Sequence, residues 1–478
     1  MSESTLATPM DLLRAVSPVG AKTYMEHKAA IVGTAMRLAI VVATLLFLAL
    51  VGLTALPRVA GSSTTLSLEQ AAAIALERHP LLTAAAHLSQ AAENRLDAVR
   101  SAYYPQLLFN TSFTRWDWTP PNKRILLGNS LNDLYAEFAV QQLLYNGGRT
   151  SLQSDLARNL LDAEHVNSQR LRQNLVFSVA RAYLLLLKAE RIVDIQDLTL
   201  SALREHIATA ELLYRSGSVS QLDVLKAQTQ LALANEELLK SRNSVIVRRQ
   251  ELFGAMGLDT TYDFATVDVT EALWQRERFR SLREDSLLSL LTAHPDLQRA
   301  RLEVRGREKE AALARTAYYP SVQLRGSYNW EDGSLPPANN HWGVAVGLSL
   351  PLSQGGVTRA TIAEARSRAG AAQATEDALR QRLQVALRTT LTTLDDTRGR
   401  IRGAEEIVRL AQESAKVASL SYRTGHVSNL DVLDAEMVLN TARINHVQVL
   451  TDFALAVAEL QFTLGSTEAP FTSRQVEP

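Results

Sequence analysis

The sequence predicts an α+β fold in which one unit of long helices and a β-hairpin occurs twice. The first observation is a repeated phrase, because YRSGSVSQLDVLKAQ begins at Tyr214 and YRTGHVSNLDVLDAE at Tyr422, with ten of fifteen positions identical. The second is a pair of segments in each copy where apolar and polar residues alternate, and the third is a run of 67 residues without proline. A repeat of this kind sets the architecture of the whole chain.

The composition excludes several classes of function. The chain has 50 basic and 50 acidic residues, so no bulk charge favours a nucleic acid partner. It contains no cysteine, which excludes disulfide frameworks and thiolate metal sites. H-E-x-x-H pairs, nucleophile elbows and phosphate-binding loops are also missing from the sequence. We therefore predict neither an enzyme nor a cofactor or metal site.

The N-terminal segment has the pattern of an export leader. Lys22, Lys28 and Arg37 precede an uncharged apolar run, Leu38 to Leu56, which is followed by PRVAGSS. A basic flank, an apolar core and small residues are typical of a secretory signal. A membrane anchor is the alternative, because nineteen apolar residues can just span a bilayer. We assign residues 1–61 to the leader and expect the bulk of the chain to leave the cytoplasm.

Two copies of one unit make up the rest of the chain. SAYYPQ corresponds to TAYYPS at an offset of 215, whereas the offset is 208 from Phe138 onward. The first copy is therefore seven residues longer, and the excess falls between Pro105 and Phe138. We divide the exported part into a first repeat, 62–283, and a second repeat with a C-terminal tail, 284–478.

Each copy is predicted to contain one long hairpin. In the first copy Leu107, Phe109 and Phe113 share a strand face, and in the second Trp342 and Val344 begin an apolar series that alternates with small residues. Such strands suit a membrane barrel and, equally, a half-buried soluble hairpin. Four strands cannot close a barrel, and lipid does not tolerate an open sheet edge. A membrane location therefore requires several protomers, with twelve strands in a trimer or eight in a dimer.

Tryptophans lie near the predicted hairpin ends. Residues of this type are enriched at membrane–water interfaces, where one end of the ring is apolar and the other is wet. A soluble core is the alternative explanation. The candidate membrane-interface aromatics are Trp116, Trp118, Trp330 and Trp342.

The segment from Gly148 to Tyr214 is predicted to form one helix roughly 100 Å long. Its apolar residues recur at alternating spacings of four and three, the period of a coiled coil. The returning segment, Leu222 to Gly257, has only 36 residues, and the predicted helix Pro80 to Tyr104 supplies 25 more. Their combined length nearly equals that of the long helix. We therefore predict that the two short helices stack end to end and meet at mid-height of the long helix. Residues 258–283 and both ends of the exported chain should lie at the same height and form a belt of irregular and short β structure.

In order and spacing, these features resemble the outer membrane efflux protein family, the TolC-like exit ducts of Gram-negative bacteria. The resemblance covers Leu66 to Gly465 and rests on the doubled AYYP before a strand, the GG that opens each long helix and the phrase G-x-V-S-x-L-D-V-L. It implies a trimeric 12-stranded β-barrel in the outer membrane, with four strands per protomer. This barrel would be continuous with a long α-helical coiled-coil barrel in the periplasm.

The resemblance also implies partners. They are two further copies of the chain, outer membrane lipid, a periplasmic adaptor (membrane fusion) protein and an inner membrane transporter. The implied function is an exit duct for efflux or type I secretion. The alternative is a periplasmic coiled-coil adaptor or scaffold that does not enter the outer membrane.

The repeated phrase is predicted to form a helix–turn–helix tip. A glycine ends each long helix, and a serine restarts the returning helix with an aspartate three residues later, in a capping arrangement. Capping thus explains Asp223 and Asp431, although a ring of carboxylates around a pore entrance would also favour cations. We assign the turns to adaptor docking: Gly217, Ser218, Val219, Ser220, Gly425, His426, Val427 and Ser428.

Asp434 separates the capping explanation from the pore explanation. The cap does not need this residue, because the first copy has Lys226 at the same place. In the resembled family, Asp431 and Asp434 match an acidic pair that lines the constricted periplasmic entrance. We therefore expect the second copy to line the gate.

The resemblance also implies a polar latch that holds this entrance closed. Tyr422 and Asp223 match two of its members, whereas its arginine would fall on Val427. Valine cannot donate a hydrogen bond, so the latch is incomplete unless Arg215 or Arg423 substitutes. The candidate gate residues are Asp431, Asp434, Asp223, Tyr422, Lys226, Arg215 and Arg423.

Overall fold

A computed structural model of the chain describes residues 65–127, 129–259, 264–277, 284–333 and 339–465. The predicted leader, 1–61, and the tail beyond 465 lie outside the described residues. The first half contains β1 (Thr65–Leu66), α1 (Leu68–Arg78), α2 (Pro80–Arg100), β2 (Gln106–Arg115), α3 (Arg124–Leu127), β3 (Asn132–Tyr145), α4 (Arg149–Arg215), α5 (Gln221–Met256), β4 (Ala265–Thr266) and α6 (Thr270–Glu277). The second half contains α7 (Glu284–Leu290), α8 (Pro295–Arg315), β5 (Ser321–Asp332), β6 (Asn340–Ser349), α9 (Val357–Arg423) and α10 (Asn429–Thr463).

The two long helices, α4 and α9, each have 67 residues, which confirms the predicted length. Each follows a glycine in the left-handed conformation, Gly148 or Gly356. The predicted seam of α4 is buried at Leu175, Val179 and Leu186, which pack toward the neighbouring helices. Within the described residues, none of the helices has both the length and the apolar character needed to cross a membrane.

Short helices stack end to end beside each long helix, as the lengths predict. The C-terminus of α5 meets the start of α2, where a Cβ added at Gly257 would lie 2.9 Å from Cδ2 of His79 and 3.0 Å from Cδ of Pro80. The second copy repeats this joint, because a Cβ at Gly465 would lie 2.9 Å from Cδ of Pro295. One detail of the prediction was wrong: α2 ends at Arg100, and a 3₁₀ turn carries the chain on to the strand.

Short strands and helices form a belt around this joint. β1 and β4 pair in parallel, and the hydroxyl of Tyr183 ties both to α4. This hydroxyl donates to the Leu66 carbonyl at 2.8 Å and accepts from the Val267 amide at 2.8 Å. Trp274 of α6, a buried residue near the end of the first repeat, packs edge-on against Phe453 of α10 in the second repeat. The apolar core of the protein is therefore concentrated at mid-height, where the sequence predicts irregular structure.

The four long strands form one antiparallel sheet in the order β2-β3-β5-β6. Asn110, Glu137, Asn329 and His341 lie opposite one another across the strands, so one face of the sheet carries a polar row. The other face carries large apolar side chains that are exposed in the single chain, among them Phe109, Phe113, Phe138, Trp342, Val344, Val346 and Leu348. Among the described residues, β2 and β6 each pair along one side only, which leaves two open edges.

Candidate functional site

The repeated phrase forms two turns at the end of the helices farthest from the sheet. Ser220 caps α5 by accepting a hydrogen bond from the Asp223 amide at 3.3 Å, and Asp223 accepts from the Ser220 amide at 3.1 Å. Ser428 and Asp431 form the same reciprocal cap on α10, with distances of 3.3 Å and 2.8 Å. The hydrogen bonds from Ser428 hold the pKa of Asp431 below its ordinary value. Both aspartates therefore cap helices, as the S-x-x-D spacing predicts.

A buried hydrogen-bonded chain joins the two turns. His206 of α4 contacts the Oδ1 atom of Asn429 through Nε2 at 2.6 Å. Asn429, which is 2% exposed, donates from Nδ2 to the carbonyl oxygen of Asp223 at 3.1 Å. Burial lowers the pKa of His206, so its neutral form is favoured at the joint. One asparagine at the start of α10 thus connects α4, α5 and α10.

Tyr422 lies in this joint but does not bond to Asp223. Its ring packs against that of His206 with 5.0 Å between centroids, and it is 3% exposed. Its hydroxyl is buried without a hydrogen-bond partner among the described residues, and burial raises its pKa. Val427 packs against the same apolar cluster, which also contains Ala210. Here the structure departs from the latch expected from the resemblance, since apolar packing replaces the arginine and the tyrosine hydroxyl is not used.

Arg423 makes the polar contact that Val427 cannot make. Its Nη2 atom lies 2.5 Å from Oε1 of Glu205 on α4, and both side chains are largely exposed. Arg215 is exposed and forms no hydrogen bond or ion pair within the described part of the chain. Of the two candidate substitutes, only Arg423 therefore links one tip to the other.

Asp434 and Lys226 lie on the exposed surface near the turns. Neither makes a hydrogen bond or ion pair with a described residue, and both side chains are exposed. A crevice of about 450 Å³ lies between the two turns, with Ser218 and Val219 on one side and Gly425 on the other. Six of the eight turn residues predicted for docking thus line a concave surface, and Gly217 and His426 do not.

Sequence reasoning missed His206, Asn429 and Glu205. His206 stands beside Ile207, through which the apolar seam of α4 continues, so the local pattern gave no signal that His206 is buried. Asn429 follows the capping serine, where the first copy has Gln221, so comparison of the copies would have marked it as a difference. Glu205 carries no signal, because an exposed glutamate on a helix is ordinary.

The predicted aromatic residues divide between the two faces of the sheet. Trp342 is exposed on the apolar face, and Trp330 contacts Phe138 there. Trp118 is exposed in the connection between β2 and β3. Trp116 instead donates from Nε1 to Oδ2 of Asp133 on the polar face, at 3.4 Å. Trp116 therefore lies on the polar side, and the interfacial position of the four tryptophans stays a prediction.

Both copies match a known family. The family model described as outer membrane efflux protein covers residues 71–258 and 287–466. The chain belongs to this family. It is 22% identical over 385 residues to outer membrane efflux protein BepC of Brucella suis biovar 1 (strain 1330), covering 79% of this chain and 80% of BepC. It is 25% identical over 409 residues to the alkaline protease secretion protein AprF of Pseudomonas aeruginosa, covering 82% of this chain and 83% of AprF.

The fold is also similar to solved structures. The open state of the MtrE outer membrane channel of Neisseria gonorrhoeae superposes with a TM-score of 0.73 at 20% identity, covering 84% of this chain and 89% of MtrE. As a member of the family, the chain is an outer membrane exit duct for efflux or type I secretion, with its helices in the periplasm. The alternative of an adaptor that stays out of the outer membrane is therefore set aside.

Proposed function

We propose that three copies of the chain close into one duct, in which each contributes four strands to a 12-stranded barrel. The observation that supports this is the isolated sheet, with a polar face, an apolar face and two open edges at β2 and β6. Lipid does not tolerate such edges, so β6 of one copy must pair with β2 of the next. Eight strands enclose a space that side chains fill, whereas twelve leave a passage.

The same assembly gives the helices their partners. The two repeats, 62–283 and 284–478, each supply one hairpin and one tip, so six tips surround the periplasmic entrance of a trimer. The crevice between the turns of one chain supports docking of an adaptor protein at Gly217–Ser220 and Gly425–Ser428. An inner membrane transporter would deliver the substrate into this entrance.

Within each protomer, contacts from α4 hold the tip of the second repeat against that of the first. His206 reaches Asn429 on one side of the turn, and Glu205 reaches Arg423 on the other. Opening of the entrance requires these contacts to break, which makes the movement a switch between two discrete arrangements. Asp431 and Asp434 then line the entrance from the second repeat.

The acidic lining is tested by Asp431→Asn combined with Asp434→Asn in planar bilayers. Asparagine keeps the helix cap because its side-chain oxygen still accepts from the backbone. We expect weaker block by multivalent cations and lower cation selectivity, because the carboxylate ring is lost. Glu236→Gln combined with Glu237→Gln, which neutralises two exposed carboxylates further along α5, is the control and should leave the block unchanged. Unaltered block and selectivity in the double variant would show that these carboxylates do not line the entrance.

A further inference from the structure

The connection between β2 and β3 has a structure of its own. We call residues 116–127 and 129–131 the outer loop, because they join the strand ends opposite the helices. This connection contains the seven additional residues of the first copy, and the second copy has a shorter link between β5 and β6. The outer loop includes the short helix α3, which lies against β5. The extra length therefore forms an ordered element that crosses from one hairpin to the other.

Charge contacts set the side of the sheet on which the outer loop lies. The ammonium group of Lys123 contacts Glu331 of β5 and lies 3.4 Å from Oδ2 of Asp133 of β3. By strand alternation both carboxylates share the polar face with Glu137 and Asn329. The apolar face is the one that suits lipid, so the outer loop folds toward the inside of the proposed barrel.

Further contacts fix the outer loop in this position. Thr119 donates to the Ser130 carbonyl at 2.9 Å, and Ser130 donates to the Gly333 carbonyl at 3.1 Å. Leu127 of α3 is 6% exposed, which shows that the helix is packed down. The carboxylates of Asp133 and Glu331 are both nearly buried, so each depends on Lys123 for its counter-charge.

The size of the barrel decides what this loop does. Twelve strands about 4.8 Å apart and tilted by about 40° enclose a backbone ring with a radius of roughly 12 Å. A helix with its side chains is about 10 Å across. Three such helices folded inward from the rim therefore occupy about half of the area within this ring.

We propose that the outer loop is a lid that narrows the extracellular end of the duct and excludes bulky molecules, and that Lys123 holds it closed. This inference rests on the proposed trimeric channel and adds a size-selecting element at the end opposite the periplasmic gate. Loss of the Lys123 ammonium leaves two nearly buried carboxylates of the sheet without a counter-charge beneath the lid, so opening of the lid is favoured because it returns them to water.

The test uses the absence of cysteine from the chain, which permits labelling of a single introduced thiol. Ser112→Cys places the thiol on the polar face of β2, below the lid. Intact cells are treated with an impermeant small maleimide and, separately, with a maleimide attached to a large polyethylene glycol. Lys123→Ala should raise the labelling rate by the large reagent roughly tenfold, with little change for the small one.

The controls separate the lid from the channel itself. Arg124→Ala removes the neighbouring exposed charge and should leave both rates unchanged. Glu331→Gln leaves Asp133 as the remaining carboxylate partner of Lys123 and should raise the large-reagent rate less than Lys123→Ala does. Asn122→Cys lies on the outer loop and reports whether that loop reaches the cell surface. Failure to label this site with the small reagent would refute the proposed channel placement and the lid together. If Asn122→Cys is labelled but the large reagent labels Ser112→Cys at the same rate in the parent, in Lys123→Ala and in Glu331→Gln, the lid proposal is wrong and the channel placement stands.

Discussion

Replacement of Asn429 by alanine tests whether the buried joint holds the two tips of a protomer together. Asn429 makes two hydrogen bonds, one with His206 at 2.6 Å and one to the Asp223 carbonyl at 3.1 Å. Alanine removes both and leaves the His206 imidazole nitrogen without its partner in a buried site, whereas the Asp223 carbonyl keeps its hydrogen bond within α5. The tip of the second repeat should then separate more readily from that of the first.

The structure gives the size of the effect. Each hydrogen bond contributes about 0.5–1.5 kcal/mol net, and a stranded buried partner adds to the loss, so the two together amount to ~2–3 kcal/mol. This shifts the balance between closed and open tips by roughly 30- to 150-fold per protomer. The ion pair of Glu205 and Arg423 is largely exposed, so its loss should cost at most about 1 kcal/mol. The buried joint therefore outweighs the exposed ion pair.

Single-channel recording in planar bilayers measures this balance as the fraction of time spent open. We expect a large increase for Asn429→Ala, a small one for Glu205→Gln, and no change for Gln221→Ala at the corresponding place of the first repeat. Tyr422→Phe should stay closed, because the hydroxyl that it removes has no partner among the described residues. An Asn429→Ala trimer that stays as closed as the parent, or a Tyr422→Phe trimer that opens, would refute this account of the gate.

Two further predictions concern the mid-height joint. Burial and the nearby Arg170 lower the pKa of His294 below its ordinary 6.5, and its Nδ1 atom caps α8 by accepting from the Asp296 amide at 3.2 Å. As the pH drops below 6.5, the imidazole of His294 is protonated in the unfolded chain before it is protonated in the folded protein, so the folded state loses stability. His294→Asn should reduce this loss of stability in thermal unfolding scans at low pH, and an unchanged loss would contradict the prediction. Gly257→Ala, at a φ of 73° and against Pro80, should cost ~1–3 kcal/mol of unfolding free energy. A Cβ added at Gly254 meets nothing within 4 Å, so Gly254→Ala should instead raise the free energy of unfolding by ~0.5–1 kcal/mol. Equal changes in unfolding free energy for the two variants in denaturant titrations would argue against the tight joint at Gly257.

Much of the fold follows from local signals in the sequence. The absence of proline between Gly148 and Tyr214 and the spacing of the seam residues predict α4 to within one residue at each end. The capping spacing of Ser220 and Asp223 predicts both the start of α5 and the role of the carboxylate. Length alone predicts the joint, because two short helices must match one long one. In each case the physical cause acts within a few turns of the chain.

The contacts that hold the tips together could not be predicted in this way. His206 and Asn429 are 223 positions apart, and their contact depends on the register between α4 and α10. The apolar cluster around Val427 likewise depends on packing between helices from different repeats. The direction in which the outer loop folds could not be predicted from the sequence either, because Lys123 contacts Glu331 only when the two hairpins are paired. The sequence therefore predicts the helices and strands but not the side-chain contacts between the two repeats.

The end-to-end joint between short helices has a consequence for how the chain folds. Gly257 contacts His79, which lies 178 positions earlier in the sequence. Gly465, near the end of the described chain, makes the corresponding contact in the second joint. Contacts of such long range slow folding, because the loop must close before it gains stability. A chain that emerges N-terminus first cannot complete its first joint until more than half of it is present. The apolar strand faces and helix seams are exposed during that interval, so the newly exported protein needs protection from aggregation until its last helix arrives.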